Sequence, residues 1–339
     1  MADFVEPGDT GESASISKTK RKQLTWPDPL VVDPTATHTH TIILLHGRGS
    51  NSERFGVDLL NSKTSRGETL TGCFPGAKFI FPTAKKRRAT IFKRMPINQW
   101  FDNWSLDDPS ERQHLQYDGI RETSAFVHDL IQKEARLVGL SHVVIGGLSQ
   151  GCAAALHVLL NFKPTGDSER AHTALAGFVG MSGWLPFADS LDPRSRDGRK
   201  DDGEDEEEND DFFGSDDEGD DDQKDNECDE PAQETSLEHL QLRAANTARD
   251  IASLPPLPDS PEDSLAFPRT PIFLGHGRHD EKVSVKLGCQ TKEVLEALGC
   301  AVQWKDYDEG HWYKVPDEID DIVHFLRGLP GFESTASEA

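Results

Sequence analysis

The chain has 339 residues and a formal net charge of −24, and 35% of its residues are hydrophobic. The acidic excess argues against polyanionic partners, so neither nucleic acid nor an anionic membrane surface is expected to bind. Residues 189–230 alone carry a net charge of −17. The overall charge and the low hydrophobic content therefore describe one segment more than the rest of the chain.

The five cysteines include no Cys-x-x-Cys pair, which is typical of a reducing compartment and predicts no disulfide framework. The sequence shows neither a secretory signal nor an apolar run long enough to span a bilayer, so no stable membrane insertion is expected. These features predict a cytoplasmic protein. The basic run at residues 18–22 leaves a nuclear location open.

Residues 1–25 are polar and predict a disordered tail. Beyond them, short apolar runs alternate with helical periods, an arrangement that indicates a mostly parallel sheet with helices on both faces, an α/β fold. In such a sheet the ligand site lies at the carboxyl ends of the strands. Strands are predicted at residues 41–45, 78–81, 143–147, 176–181, 271–275 and 301–307, and helices at residues 117–138, 153–161, 287–298 and 317–326.

The alternation stops at residues 187–263, which are predicted to be an insertion. Within it, residues 201–222 form a low-complexity acidic run that predicts disorder. Residues 236–254 instead have the hydrophobic period of an amphipathic helix. A single folded domain is therefore predicted from residues 26–186 and 264–330. The insertion is interpreted as a solvated spacer, with a regulatory segment or a cap over the site as alternatives. A basic partner is expected for its acidic run, and the nearest candidate is the basic loop at residues 85–88.

The segment around Ser149 is the most informative motif. An apolar strand, the turn Gly147-Leu148-Ser149-Gln150-Gly151 and a small-residue helix follow one another, which is typical of the nucleophile elbow of an α/β-hydrolase. Glycines two residues before and two after the serine leave room for the sharp turn, and this pattern predicts that Ser149 is the nucleophile.

A serine nucleophile needs a base, and the base needs an orienting carboxylate. In this fold they follow in the order serine, acid, histidine. Asp280 lies in a loop after a predicted strand, and His311 lies between the last predicted strand and helix, so these two are predicted as acid and base. Other bases and acids stay open as alternatives, namely His276 and His279 in the loop of Asp280, His324 within a predicted helix, and Asp306 and Asp308 close to His311.

An oxyanion hole needs two backbone N–H groups. The first is expected from Gln150, directly after the nucleophile. The second is expected from the loop at residues 46–50, where two glycines allow close approach of the backbone. His46 is interpreted as a structural residue of that loop.

Six short motifs occur in a fixed order, at residues 45–49, 100–102, 146–151, 182–186, 277–280 and 310–311. Together they resemble the acyl-protein thioesterase and carboxylesterase family of α/β-hydrolases. The resemblance covers about residues 39–186 and 268–326. It implies a Ser149, Asp280 and His311 triad and oxyanion donors from the backbones of Arg48 and Gln150. It also implies an acyl groove lined near Trp100, Phe101, Trp184 and Leu185.

Three positions depart from the family pattern. Arg48 stands where leucine is usual, Ser50 where aspartate is usual, and Cys152 where glycine is usual. Arg48 is compatible with an oxyanion role through its N–H, but its side chain would narrow or charge the acyl site. The chemistry is thus better supported than the substrate.

The sequence predicts a serine hydrolase that cleaves acyl thioesters or carboxylic esters through an acyl-enzyme. An acylated protein or a small-molecule ester is the expected substrate. A small-ester carboxylesterase and a lysophospholipase are alternatives of the same chemistry, and a catalytically silent binding protein is the alternative of another class. No organic cofactor is expected, and the histidines do not have the spacing of metal ligands.

Overall fold

A computed structural model describes residues 25–164, 174–195, 236–258 and 265–332. Its strands are β1 Leu30–Val32, β2 His40–Leu45, β3 Ala77–Phe81, β4 Lys86–Ala89, β5 Met95–Asn98, β6 Val143–Leu148, β7 Gly177–Met181, β8 Ile272–Gly277 and β9 Val302–Tyr307. Its helices are α1 Ser52–Asn61, α2 Leu70–Cys73, α3 Tyr117–Val138, α4 Gln150–Asn161, α5 Ala188–Leu191, α6 Leu237–Ile251, α7 Val285–Ala297 and α8 Asp317–Arg327.

Seven strands form one sheet in the order β1-β3-β2-β6-β7-β8-β9. Every neighbouring pair is parallel except β1 with β3. This confirms the predicted α/β-hydrolase class with its mostly parallel sheet. β6 lies centrally, so the turn that follows it emerges at the middle of the carboxyl edge, where a ligand site is expected.

The two faces of the sheet are covered by different helices. Along β2, Ile43 and Leu45 face one core with α3, α4, α6 and α7, whereas Ile42 and Leu44 face a second core with α1 and α8. Successive side chains of a strand alternate between its faces, so a strand covered on both sides is apolar throughout. This explains why the core strands were predictable as continuous apolar runs.

Helix α6 confirms the predicted amphipathic period, although it is shorter at both ends than residues 236–254. Its buried side chains, including Leu242, Ala245 and Ala248, join the core that contains α4. It packs against α3, α4 and α5 and is absent from the lining of the cavity beside Ser149. The helix therefore covers one side of the sheet and does not cap the site.

The elements between β3 and α3 differ from expectation. Residues 85–88 were interpreted as a basic loop, but Lys86–Ala89 is a strand that pairs with Met95–Asn98 in an antiparallel hairpin. The hairpin carries charge and a proline in place of an apolar alternation, so its sequence lacks a strand pattern. The acidic run at residues 201–222 lies outside the described residues. Lys85 and Arg87 of the basic segment both pair with Glu122, at 3.1 and 2.8 Å.

None of the described helices is both long and apolar enough to cross a bilayer.

Candidate active site

Ser149 occupies the single residue between β6 and α4. Its backbone has φ 56° and ψ −123°, a region that side-chain-bearing residues rarely adopt. The Ser149 N–H donates to the carbonyl of Met181 at 2.8 Å, which ties the strained residue to the neighbouring strand. The serine is thereby held at the carboxyl edge of the sheet by its own backbone.

The glycines of the turn are required by close approach to β2. A Cβ atom on either Gly147 or Gly151 would collide with the carbonyl oxygen of Leu45. The helix also begins at Gln150, three residues earlier than predicted. Any larger residue at 147 or 151 would force β2 away from the elbow, so the turn depends on these two glycines.

His311 follows β9 and joins the serine to a carboxylate. Its Nε2 lies 2.8 Å from Ser149 Oγ, and its Nδ1 lies 2.7 Å from Asp280 Oδ2. A carboxylate accepts, so Nδ1 carries the proton and Nε2 is free to accept from the serine hydroxyl. The three side chains form a continuous hydrogen-bonded chain.

Asp280 follows β8, and its side chain is fully buried. Its Oδ1 accepts the N–H groups of Lys282 and Val283, both at 2.8 Å. Burial opposes ionisation, but hydrogen bonds from His276, His311 and Val283 outweigh it and hold the pKa of Asp280 well below its usual range. Asp280 is therefore a carboxylate at neutral pH, as an orienting group must be.

The alternative acids and bases have other partners. His276 Nε2 lies 2.9 Å from the carbonyl oxygen of Val283 and 3.5 Å from Asp280 Oδ2. His279 pairs with Asp308 at 2.9 Å, and Asp306 accepts from Arg278 at 2.8 Å, all at exposed positions. His324 lies within α8. Ser149 Oγ hydrogen-bonds to His311 and to none of these residues.

The backbone N–H of Gln150, the residue after Ser149, is a candidate oxyanion donor. Gln150 is the first residue of α4, so its N–H has no acceptor one turn earlier in the helix. A Cβ atom on Gly47 would lie 3.9 Å from Ser149 Oγ, so the loop that continues into Arg48 passes beside the serine. Gly49 N–H donates to Asn98 O at 2.7 Å, which fixes this loop to the end of the hairpin.

His46 supports the loop, as its sequence position indicated. Its Nε2 accepts from Ala84 N–H at 3.0 Å and its Nδ1 donates to Gly47 O at 2.7 Å. Burial lowers its pKa to about 4, so the ring is neutral at physiological pH and serves to hold the backbone.

A cavity of about 580 Å³ opens beside Ser149 and His311. Of the four predicted groove residues, Trp184 lines it. Trp100, Phe101 and Leu185 are buried in the core. The Gln150 side chain explains part of this, because it accepts from Trp100 N–H at 3.0 Å and donates to Phe101 O at 2.8 Å.

The apolar lining comes largely from residues that sequence reasoning missed, namely Phe55, Phe92, Met95, Ile97, Leu106 and Trp312. Phe92, Met95 and Ile97 belong to the hairpin, where Phe92 and Met95 remain 45% and 59% exposed. The sequence signal for these residues was the presence of large apolar side chains within a basic segment. Such a segment leaves apolar groups exposed, and exposed apolar groups often mark a binding surface.

Cys152 packs directly behind the nucleophile turn. Its side chain is buried against Gly180 and Gly183, whose added Cβ atoms would collide with its Sγ. Burial raises its pKa to about 12, so it remains a neutral thiol. Among the described residues, no cluster of three or more His, Cys, Asp or Glu side chains is arranged to hold a metal ion.

Comparison with known proteins adds an independent line of argument. The model of one protein family, described as Phospholipase/Carboxylesterase, matches residues 27–197 and 250–329. The Neurospora crassa protein named acyl-protein thioesterase 1 is 26% identical over 301 residues, which are 88% of this chain and 90% of that relative. The Schizosaccharomyces pombe protein of the same name is 30% identical over 163 residues, which are 48% of this chain and 63% of that relative.

Among solved structures, the crystal structure of Zea mays acyl-protein thioesterase 2 aligns with a TM-score of 0.54 and 25% identity. The alignment covers 88% of this chain and 96% of the maize chain. Nearly the whole maize protein thus has a counterpart here.

Proposed function

Because the chain belongs to the phospholipase/carboxylesterase family of α/β-hydrolases, we propose that Ser149, His311 and Asp280 hydrolyse acyl thioesters or carboxylic esters. The family makes the protein an enzyme of the esterase and thioesterase type. The observation that carries the proposal is the hydrogen-bonded chain from Ser149 Oγ through His311 to Asp280. Acylated proteins, as in the names of its relatives, are the proposed substrates.

In the first half of the reaction, Ser149 Oγ attacks the acyl carbonyl while His311 Nε2 takes the hydroxyl proton. Asp280 keeps the proton of His311 on Nδ1 and stabilises the imidazolium that forms. The developing oxyanion accepts from the N–H groups of Gln150 and Arg48. His311 then gives its proton to the leaving thiol or alcohol, and the acyl group remains on Ser149.

In the second half, water replaces the leaving group. His311 takes a proton from the water, the resulting hydroxide attacks the acyl-enzyme carbonyl, and the same N–H groups hold the oxyanion. His311 returns the proton to Ser149 Oγ as the carboxylic acid leaves. The cycle balances with water as the second substrate and restores the free serine.

The apolar side of the cavity suits an acyl chain. Phe92, Met95, Ile97 and Trp184 surround a space that adjoins the nucleophile, and burial of each methylene of a chain there contributes about 0.8 kcal/mol. We therefore assign this side to the acyl group.

Paired assays test the proposal. Hydrolysis of a short 4-nitrophenyl ester and of a palmitoyl thioester is measured with wild type, Ser149→Ala and the control Ser190→Ala, which alters an exposed serine of α5. We expect Ser149→Ala to lower kcat by about 10⁶-fold for both substrates and to abolish labelling by a fluorophosphonate. Turnover of the short ester alone would indicate a small-ester carboxylesterase. Equal rates in Ser149→Ala and wild type would overturn the proposal and favour a silent binding protein.

A further inference from the structure

The cavity beside Ser149 has an unusual charge for this protein. Its lining includes Arg48, Arg54 and Lys282 and, among the described residues, no aspartate or glutamate. The chain as a whole carries a net charge of −24. Three cations around one cavity are therefore a local feature, opposite in sign to the net charge of −7 that the chain carries outside residues 189–230.

The three cations reach the cavity from separate segments. Arg48 follows Gly47, whose added Cβ atom would lie 3.9 Å from Ser149 Oγ. Lys282 lies two residues after Asp280, and its backbone N–H donates to that carboxylate at 2.8 Å. Arg54 lies in the first turn of α1, where its backbone N–H donates to Asn51 Oδ1 at 2.8 Å. Three separate segments of the chain thus bring a basic residue to the same cavity.

Arg48 is the best positioned of the three. Its Nη1 donates to Asn103 Oδ1 at 3.1 Å, and its guanidinium lies 5.2 Å from the centre of the Phe92 ring. These contacts hold the side chain in place and leave most of its five N–H donors without a protein acceptor among the described residues. Burial lowers the pKa of Arg48, and the charge of Asp102 partly opposes this effect.

Among the described residues, the cavity cations have no ion-pair partner. No carboxylate of the described residues lies within 4.0 Å of the charged atoms of Arg48, Arg54 or Lys282. Asp102, whose charge acts on Arg48, instead accepts from Thr90 N–H at 3.1 Å. Like charges that share a partly desolvated space repel one another, and an anion placed among them relieves that repulsion.

We propose that the substrate carries an anionic group, a carboxylate or a phosphate, close to the scissile carbonyl, and that Arg48 is the specificity-determining residue that binds it. The inference deepens the proposed hydrolase function and rests on it. Arg48 acts on substrate choice through its guanidinium, whereas its backbone N–H belongs to the proposed oxyanion hole. Arg54 and Lys282 add a weaker field because both are exposed.

The test compares esters that match in length and differ in charge. One pair places the charge on the acyl group, with mono-4-nitrophenyl adipate against 4-nitrophenyl hexanoate. The other pair places it on the leaving group, with the hexanoyl ester of 4-hydroxybenzoate against that of 4-hydroxybenzamide. The readout is the ratio of kcat/KM within each pair after subtraction of the Ser149→Ala rate, and the pair with the larger ratio locates the anion.

We expect wild type to favour the charged ester of one pair and Arg48→Leu to lower that ratio by about tenfold, the worth of one hydrogen-bonded charge. Arg48→Lys keeps the charge and should retain part of the ratio. Arg136→Gln alters an arginine near the far end of α3 and should leave the ratio unchanged. In wild type, salt should also reduce the ratio because it screens exposed charges, a measurement that does not depend on any variant folding.

Two results would count against the inference, and they differ from each other. Ratios near one in wild type, or an unchanged ratio in folded Arg48→Leu, would overturn the role of Arg48 while the hydrolase function stands. Loss of Ser149-dependent turnover on all four esters would instead remove the proposed function, and the inference with it.

Discussion

Two regions meet at the cavity and are built in opposite ways. The elbow, residues 143–161, has every residue of its strand and helix buried. The hairpin, residues 86–98, leaves Ile91, Phe92 and Met95 exposed by 39%, 45% and 59%. The elbow supplies the reacting serine, whereas the hairpin supplies much of the surface that would touch a substrate.

This difference separates the residues expected to carry the reaction from those expected to select the substrate. The elbow is held by contacts between backbones, such as Gly151 against Leu45, which tolerate no change in size. The hairpin is joined to the reacting centre through Asn98, whose Nδ2 donates to Ser50 O at 2.8 Å. We expect substitutions in the first region to remove all activity or stability, and substitutions in the second to change substrate choice.

After Ser149→Ala, the largest effect should come from Asp280→Asn. An amide in place of the carboxylate would favour the wrong tautomer of His311, so kcat/KM should fall by about 10⁴-fold. The loss should be the same for short and long acyl chains, because the chain-binding surface is untouched. Steady-state assays with both substrates check this. Asp306→Asn alters an exposed acid and serves as the control; a similar loss there would contradict the assignment.

The next effect concerns the stability of the elbow itself. Gly151→Ala places a Cβ atom against Leu45 O and Leu45 C, and should lower the free energy of unfolding by about 3 kcal/mol or leave the protein insoluble. Urea unfolding measures it. Gly72→Ala is the matched control, since its nearest contact would be Thr69 Oγ1 at 3.4 Å. Equal stability of the two variants would refute the steric account.

A pH-dependent effect should arise beneath the loop that carries His311. Glu318 Oε2 accepts from Lys314 N–H at 2.9 Å, whereas Oε1 is buried without a partner among the described residues. Burial raises the pKa of Glu318 to about 8. Between its unfolded pKa of about 4.5 and the folded value, the folded state binds the extra proton, so the free energy of unfolding falls as pH rises.

In wild type, the raised pKa of Glu318 should lower the free energy of unfolding by about 2 kcal/mol between pH 6 and 8. Glu318→Gln cannot titrate and should not show this loss. Urea unfolding at several pH values provides the measurement, with the exposed Asp317→Asn as control. A decline of unchanged slope in Glu318→Gln would show that another group causes it.

The smallest effect should come from the hairpin. Phe92→Ser removes an apolar surface from the cavity, so the ratio of kcat/KM for a palmitoyl thioester to that for a short ester should fall by about tenfold. Ile91→Ser is the matched control, because Ile91 is also exposed but does not line the cavity. Thermal unfolding should change little in either variant. Equal ratios in the two variants would remove the hairpin from the acyl site.

Much of the fold was predictable for a simple physical reason. Strands buried on both faces are apolar throughout, and runs such as residues 41–45 and 143–147 carry that pattern whatever their neighbours. Helix α3 was predicted with its observed bounds, Tyr117–Val138. Neither the hairpin nor α1 was among the predicted elements. The hairpin had no signal of its own, because its strands are short and one is charged while the other contains a proline.

The residues of the candidate site also differ in whether a local sequence pattern predicts them. Ser149, Asp280 and His311 were identifiable because each follows a recognisable strand in the order that this fold uses. The cavity lining was not, because the resemblance implied a groove near Trp100 and Phe101, whereas both side chains are buried in the core and their backbones hydrogen-bond to the Gln150 side chain. Whether an aromatic residue faces a cavity depends on partners distant in sequence.

By itself, the sequence determined the parallel sheet, the elbow and the identity and order of the candidate catalytic residues, since these depend on local periodicity and on the sterics of a few neighbouring positions. Only the tertiary structure decided that His311 lies 2.8 Å from Ser149 and 2.7 Å from Asp280. It alone placed Arg48, Arg54 and Lys282 around one cavity. Such convergence depends on how distant strand ends meet at the edge of the sheet, which no local pattern encodes.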